Sequence, residues 1–352
     1  KEPGRILRPG SLLRRGGTRA ALRRFSVSLR SAVQMAYNGR RGSSIAEGSA
    51  LVMVSSYIAW YLFLAGAGGG AFLLGSFVDF ALRVSNRSWL RGASAVTDAG
   101  LLAGPVLVAL GTVFLTLDLG APDQAFRLFL TPSGSLLSAG AWALALFCAT
   151  AFAAFLMGFA DDGPGLRVAE TVVSVFAALL ALFVVLYAGV FLSLYPAVPF
   201  LNSPLVPIVF VASALATGAA VLTIIGFFRF SRDETIGGFA SLLRLDAVLV
   251  AIEAIAISAF SIVSLMGDEA AAHSAAELLS GHSAMLFWLG VVLAGIVVPL
   301  SVDVECLRSP NPSLFVVGAA STLLGGICLR FSLLVAAERF CLVDMSLLSF
   351  WM

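Results

Sequence analysis

Two carboxylates and one guanidinium stand where an apolar chain least accommodates charge. Asp246 and Glu253 lie seven residues apart in LRLDAVLVAIEA (Leu243–Ala254), and Arg330 interrupts the last apolar stretch, about 313–337. Seven residues is close to two helical turns, so both acids fall on one helix face. Ionisable groups inside an apolar span are costly and point to function by default. These three suit a proton path that reaches into a bundle. They equally suit an ion pair, Arg330 with Glu253 or with Asp246, that locks helices together. Arg244, just before Asp246, is placed to neutralise it.

A second set of residues can bind rather than titrate. Tyr57, Trp60 and Tyr61 fall at i, i+3 and i+4 and so share a helix face. That face could line a cavity, or belong to the aromatic belt at a water–lipid boundary. Tyr187 sits deep in an uncharged span, where its hydroxyl needs a partner, either another side chain or a ligand carbonyl. Asp118 closes an apolar run in LDLGAPDQAFRLFL, while Asp79 and Asp98 lie near span ends and read as interfacial.

The elements that must hold these residues are membrane helices. The 352 residues are 59% hydrophobic and 12% charged, against about 25% charged in soluble domains. Crossing a ~30 Å hydrocarbon core takes ~20 apolar residues in a helix. Eight spans answer to this, at about 50–80, 97–117, 136–160, 168–194, 204–229, 244–266, 281–301 and 313–337. Three prolines in YPAVPFLNSP (Tyr195–Pro204) separate the fourth from the fifth. The fold expected is all-α, with eight transmembrane helices from residue 49 to 337 and a short tail over 338–352.

Residues 1–48 hold 11 of the 22 Lys and Arg residues, among Gly and Ser, and are expected to be disordered. They read as a basic arm on the membrane surface, or as an over-extended frame whose true start is Met35. The absence of a signal-peptide apolar core favours the second. Counted from Met35, one side of the membrane carries eight Arg (83, 87, 91, 167, 229, 232, 244 and 308). The other carries four (Arg40, Arg41, Arg127 and Arg339). The positive-inside rule then places both termini outside.

Redox metals find no obvious ligands here. His273 falls in a polar loop and His282 at a helix start, and the four cysteines form no C-x-x-C. Haem, an iron–sulfur cluster or a zinc site within the chain is therefore not expected. There is no Walker A, no H-E-x-x-H and no nucleophile elbow, so no catalytic set is assigned. One faint internal echo remains: FLAGAGGGAFLL (Phe63–Leu74) and FVASALATGAAVL (Phe210–Leu222) are both small-residue patches. Such patches let membrane helices approach closely, and the pair hints at a 4+4 duplication.

Several motifs in order carry a resemblance. They are WYLFLAGAGGGAFLL (Trp60–Leu74), LDLGAPDQAFRLFLTPSGSLLSAGAW (Leu117–Trp142) and YAGVFLSLYPAVPFLNSPLVPIVFVASALATGAA (Tyr187–Ala220). Two softer ones are LRLDAVLVAIEA and SGHSAMLFWLGVVLAGIVVPL (Ser280–Leu300). From Tyr57 to about Ala337 the chain resembles the NrfD/PsrC family, membrane subunits of polysulfide, nitrite and related oxidoreductases.

That resemblance implies two four-helix bundles and a bound quinone, menaquinone being the type expected, with no haem or iron–sulfur cluster in the chain. It implies a ferredoxin-like iron–sulfur subunit docked outside the membrane, and behind it a molybdopterin or multihaem catalytic subunit. It also implies quinone-binding roles for Tyr61, Tyr187, Trp60 and Asp118. Ile58, where one relative has an amide, and Leu201, where Trp is usual, depart from the pattern.

A proton path would then use Asp118, Asp246, Glu253 and Arg330. The setting implied is the bacterial cytoplasmic membrane, with the lipid bilayer and the redox subunits as partners and no nucleic acid. A secondary transporter or a redox-silent scaffold are the alternatives.

Overall fold

The computed structural model describes residues 56–80, 94–118, 136–157, 164–194, 198–229, 235–309 and 311–338. All of them fall in one compact unit, Val54–Met352. The basic tail over 1–48, the loop arginines 83, 87, 91, 127 and 232, and residues 339–352 lie outside the described residues.

Hydrocarbon offers no partner for a backbone N–H or C=O, so a chain this apolar must satisfy them within each segment, as helix. Among the described residues, eight helices are long and apolar enough to cross. They are α1 (Ser56–Phe80), α2 (Ser94–Asp118), α3 (Leu136–Met157), α4 (Pro164–Ser193), α5 (Leu205–Arg229) and α6 (Thr235–Leu265). After a short helix α7 (Glu269–Ser280) come α8 (Leu286–Arg308) and α9 (Pro312–Glu338). The chain is thus an all-α, multi-pass membrane protein, and among the described residues there is no strand.

Small residues decide which helices are central. The apolar stretches of α1 and α5 are 72% buried, against 33% in α2, α3, α4 and α8. The two echoing patches pack directly on each other. A methyl group on Gly70 would collide with the backbone of Ala214, and one on Gly218 with that of Gly70 and Ala71. On the other flank of α1, a methyl on Gly104 of α2 would stand 2.7 Å from Phe72 Cβ, and one on Gly111 3.3 Å from the Ala65 nitrogen. The indices run oppositely, so α1 and α2 are antiparallel, whereas α1 and α5 run parallel. Around the central pair, α4, α6 and α9 pack on α5, α3 bridges α2 and α4, and α8 lies against α9 and α6.

Lipid-facing positions carry large apolar side chains, Val172, Leu179 and Ile255 among them. Such exposure would mark an interaction site on a soluble protein; here it is the surface that meets acyl chains.

Three expectations change. His273 lies not in a loop but on α7, which buries Ala271, Ser274, Ala275 and Leu278. The seventh span is not 281–301 but Leu286–Arg308, so it takes in Asp303. Its first half, Leu286–Val297, is π-helical. Pro299 has no N–H to offer the preceding turn, and the Ala294 carbonyl is taken instead by the Ser321 hydroxyl of α9 at 2.5 Å. Gly295 sits against Gly325 there, its position so tight that a methyl would lie 2.9 Å from the Gly325 Cα. Finally, Arg244 does not neutralise Asp246: it is exposed while Asp246 is buried. Two residues apart on a helix point to opposite sides.

The central crossing makes a direct prediction. Gly70→Val should overpack the α1–α5 contact at a cost of ~1–3 kcal/mol or more, while Gly165→Ala, with nothing within 4 Å of an added methyl, should be neutral or slightly stabilising. Thermal melting of the purified protein in detergent checks both; equal melting of the two variants would refute the contact.

Candidate functional site

The alternation of spans puts the start of α1, the ends of α2 and α4 and the start of α5 at one end of the bundle. Tyr61 and Tyr187 both lie there. Tyr61 is only 6% exposed, and Tyr187 is its electrostatic neighbour. The Tyr187 ring stacks on Phe183 (6.0 Å, 19°) and lies tilted against Phe191 (5.7 Å, 32°), on the same helix one turn either side. Gly140 of α3 makes the notch that receives it: a methyl there would stand 2.5 Å from the phenolic oxygen.

Trp60 belongs to an adjoining aromatic cluster built across three helices. It stacks on Phe114 of α2 (6.2 Å, 25°) and meets Phe331 of α9 edge-on (6.1 Å, 82°). Tyr57 adds to it against Phe114 at 6.3 Å. Asp118, the last residue of α2, stands seven residues beyond Gly111, hence ~10 Å nearer that rim. Its Oδ1 is buried without a hydrogen-bond partner.

A second polar group runs from mid-bundle toward the other end. Arg330 is 1% exposed. Its Nη1 donates to Ser213 Oγ of α5 and to the Gly326 carbonyl at 3.0 Å. The guanidinium lies 5.6 Å from the centre of the Phe210 ring, and a methyl on Gly66 would sit 3.1 Å from its Nη2. The bare backbone at Gly66 is what leaves room for the guanidinium. Ser213 also hydrogen-bonds Glu253, and Arg330 is that acid's electrostatic partner. The hydroxyl therefore links acid and base.

Asp246, next along α6, does not share this arrangement. Its electrostatic neighbours are Asp303 and Glu253. Asp246 and Asp303 are each 1% exposed, and neither carboxylate has a hydrogen-bond partner. Two like charges in a low dielectric repel strongly. Of the two acids expected to pair with Arg330, it is Glu253 that interacts with it electrostatically, joined to it through the Ser213 hydroxyl.

The sequence singles out Tyr61, Tyr187, Trp60, Asp118, Asp246, Glu253 and Arg330. The structure gathers the first three at one end with Asp118 at its rim, and the last three along one buried line. It adds Gly140, Ser213 and Asp303. Asp303 is signalled by a charge in PLSVDVEC (Pro299–Cys306), hidden when the span is drawn too short. Nothing in the sequence marks Gly140 or Ser213. Among the described residues no group of three His, Cys, Asp or Glu could hold a metal ion.

Known proteins share this sequence pattern. The family described as polysulphide reductase, NrfD, matches over residues 46–341. The protein is 28% identical to the C subunit of polysulfide reductase from Wolinella succinogenes, over 80% of its own length and 93% of that protein. It is 28% identical to protein NrfD of Escherichia coli, with the same coverage. The NrfD homolog of Haemophilus influenzae is 26% identical, again over 80% and 93%.

The buried pair makes a prediction by double-mutant cycle. Arg330→Leu alone strands Glu253 and should cost about 3–5 kcal/mol, whereas Arg330→Leu with Glu253→Leu should recover most of it. Melting temperatures of Arg330→Leu, Glu253→Leu and the double variant in detergent provide the readout; a double variant as unstable as the sum of the two singles would mean the two side chains act separately.

Proposed function

Because the chain belongs to the polysulphide reductase NrfD family, we propose that it is the membrane-anchor, quinone-binding subunit of a respiratory oxidoreductase. In this role it passes electrons between the quinone pool and a docked iron–sulfur, or haem, subunit. The observation that carries the reading is the convergence of two phenols, from α1 and α4, at one end of the bundle. The relatives, a polysulfide reductase subunit and NrfD, support a catalytic subunit elsewhere in the assembly.

The residues fit such a ligand. A quinone supplies two-electron, two-proton carrier chemistry when bound, with menaquinone the type favoured. Tyr61 and Tyr187 have hydroxyls to donate to its two carbonyl oxygens, and donors of this kind strengthen as negative charge develops. Phe183 and Phe191 flank Tyr187 and the Trp60 cluster adjoins them, apolar surface of the kind that lines such a site. The unpartnered Oδ1 of Asp118 can take or give a proton at the rim.

Glu253 and Arg330, joined through Ser213 and followed by Asp246 and Asp303, extend a proton route toward the opposite end. On the arginine count that end faces the cytoplasm and the tyrosine end faces outward, where a ferredoxin-like subunit, with a molybdopterin or multihaem subunit behind it, would dock. The unpartnered Asp246–Asp303 pair also suits a proton-coupled permease. Substrate uptake by liposomes holding this chain alone separates that reading from an anchor, which is inactive without redox partners.

Tyr187→Phe should weaken binding of a quinone analogue by about 2- to 12-fold, the value of one hydrogen bond of ~0.5–1.5 kcal/mol, and Tyr61→Phe by a similar factor. Fluorescence-quench titration of the purified complex measures it. Unchanged affinity in both variants would remove the phenols from the site.

A further inference from the structure

Three neighbours hold the Tyr187 side chain. Phe183 and Phe191, one turn before and after it on α4, lie against the ring. Its far end rests on α3, where a methyl on Gly140 would stand 2.3 Å from Cζ, 2.5 Å from Cε1 and 2.5 Å from the phenolic oxygen. Those atoms make up the hydroxyl-bearing end of the ring. Gly140 therefore meets the part of Tyr187 that can donate a hydrogen bond.

Close approach of two helices does not by itself call for glycine here. The residues that α3 buries include Ala143, Ala151 and Ala154, where a methyl is accommodated, and position 140 is the one glycine of the helix. Inside a helix glycine is less favourable than alanine, so its presence needs a local reason, and the phenol supplies one. Carbon atoms in contact stand ~3.5 Å apart, so Gly140→Ala would force Cζ, 2.3 Å from the added methyl, back by ~1.2 Å. The oxygen moves with it. An O–H···O bond spans ~2.5–3.0 Å, and a shift of that size takes a bonded hydroxyl out of reach.

We propose that Gly140 is a positioning residue of the quinone site: by carrying no side chain it fixes where the Tyr187 hydroxyl stands, and so how well that hydroxyl donates to a quinone carbonyl. The proposal rests on the quinone reading of the phenol end. Gly140 touches no ligand and acts only through Tyr187. A donor already held in place binds more tightly than one that must be ordered on binding.

A double-mutant cycle tests this, read by fluorescence-quench titration of the intact purified complex with a short-chain naphthoquinone. Gly140→Ala should weaken binding by about 2- to 12-fold, as Tyr187→Phe does, because each loses the same hydrogen bond. The two together should lose no more than either alone, since one hydroxyl can be lost only once. A residue that only seated α3 against α4 would weaken binding equally with and without the hydroxyl. Gly140→Ala with unchanged affinity, or a combined loss equal to the product of the single ones, would overturn the proposal and leave the quinone reading standing. If Tyr187→Phe has no effect, Tyr187 leaves the quinone site and the proposal falls with it. Melting in detergent accompanies each variant. Should Gly140→Ala fail to fold, adding Tyr187→Leu should restore folding, because leucine has no atoms at the ring's far end. A pair that stays unfolded would mean the methyl strikes something other than the phenol, and would overturn the proposal.

Discussion

The contact between α1 and α5 is the constraint on which the rest of this bundle depends. Lipid is as apolar as leucine, so nothing like the hydrophobic effect drives membrane helices together; close van der Waals packing must do it. Gly66, Gly70 and Ala71 on one side, and Ala214 and Gly218 on the other, bring two backbones into direct contact. No larger side chain fits at Gly70 or Gly218, and these two helices are the most buried of the eight described spans. The remaining spans pack around this pair, and the buried polar groups take their positions from it.

Arg330 shows how the packing and the polar chemistry are linked. A fully buried guanidinium is expensive in hydrocarbon, and it is tolerated here because Gly66 leaves room, Ser213 and the Gly326 carbonyl accept its hydrogen bonds, and Glu253 supplies countercharge. The same small-residue patch that joins α1 to α5 therefore shapes the site that holds the charge. Asp246 and Asp303 lack such support, each having a buried carboxylate with no hydrogen bond. Arg330 is itself only partly satisfied, its Nε and Nη2 having no hydrogen-bond partner, and the line ends in two acids that have none.

The two ends of the bundle differ in kind. One gathers aromatic rings, two phenols and a rim carboxylate, held in place by a glycine notch and by ring stacking. The other carries Asp246 and Asp303, two buried acids with no hydrogen-bond partner. The alternating directions of α1 and α4 bring Tyr61 and Tyr187 to the same end.

Much of the fold was legible in the chain itself. Hydrocarbon forces each crossing segment to close its own hydrogen bonds, so length and apolarity alone find eight spans, although the seventh is drawn five residues early at its start and seven short at its end. Pro196, Pro199 and Pro204 mark the break between α4 and α5 for the same backbone reason. The motifs around Trp60, Leu117 and Tyr187 likewise indicate the family. What could not be read were the partners across helices: Gly140 beneath Tyr187, Ser213 between Glu253 and Arg330, Asp303 opposite Asp246, and the helix that carries His273. In a soluble helix the apolar stripe shows which face turns inward. In a membrane helix the face toward lipid is as apolar as the face toward its neighbours, so the pattern that would assign contacts is absent. Those contacts follow only from how small residues let particular backbones approach, which is a property of the assembled bundle.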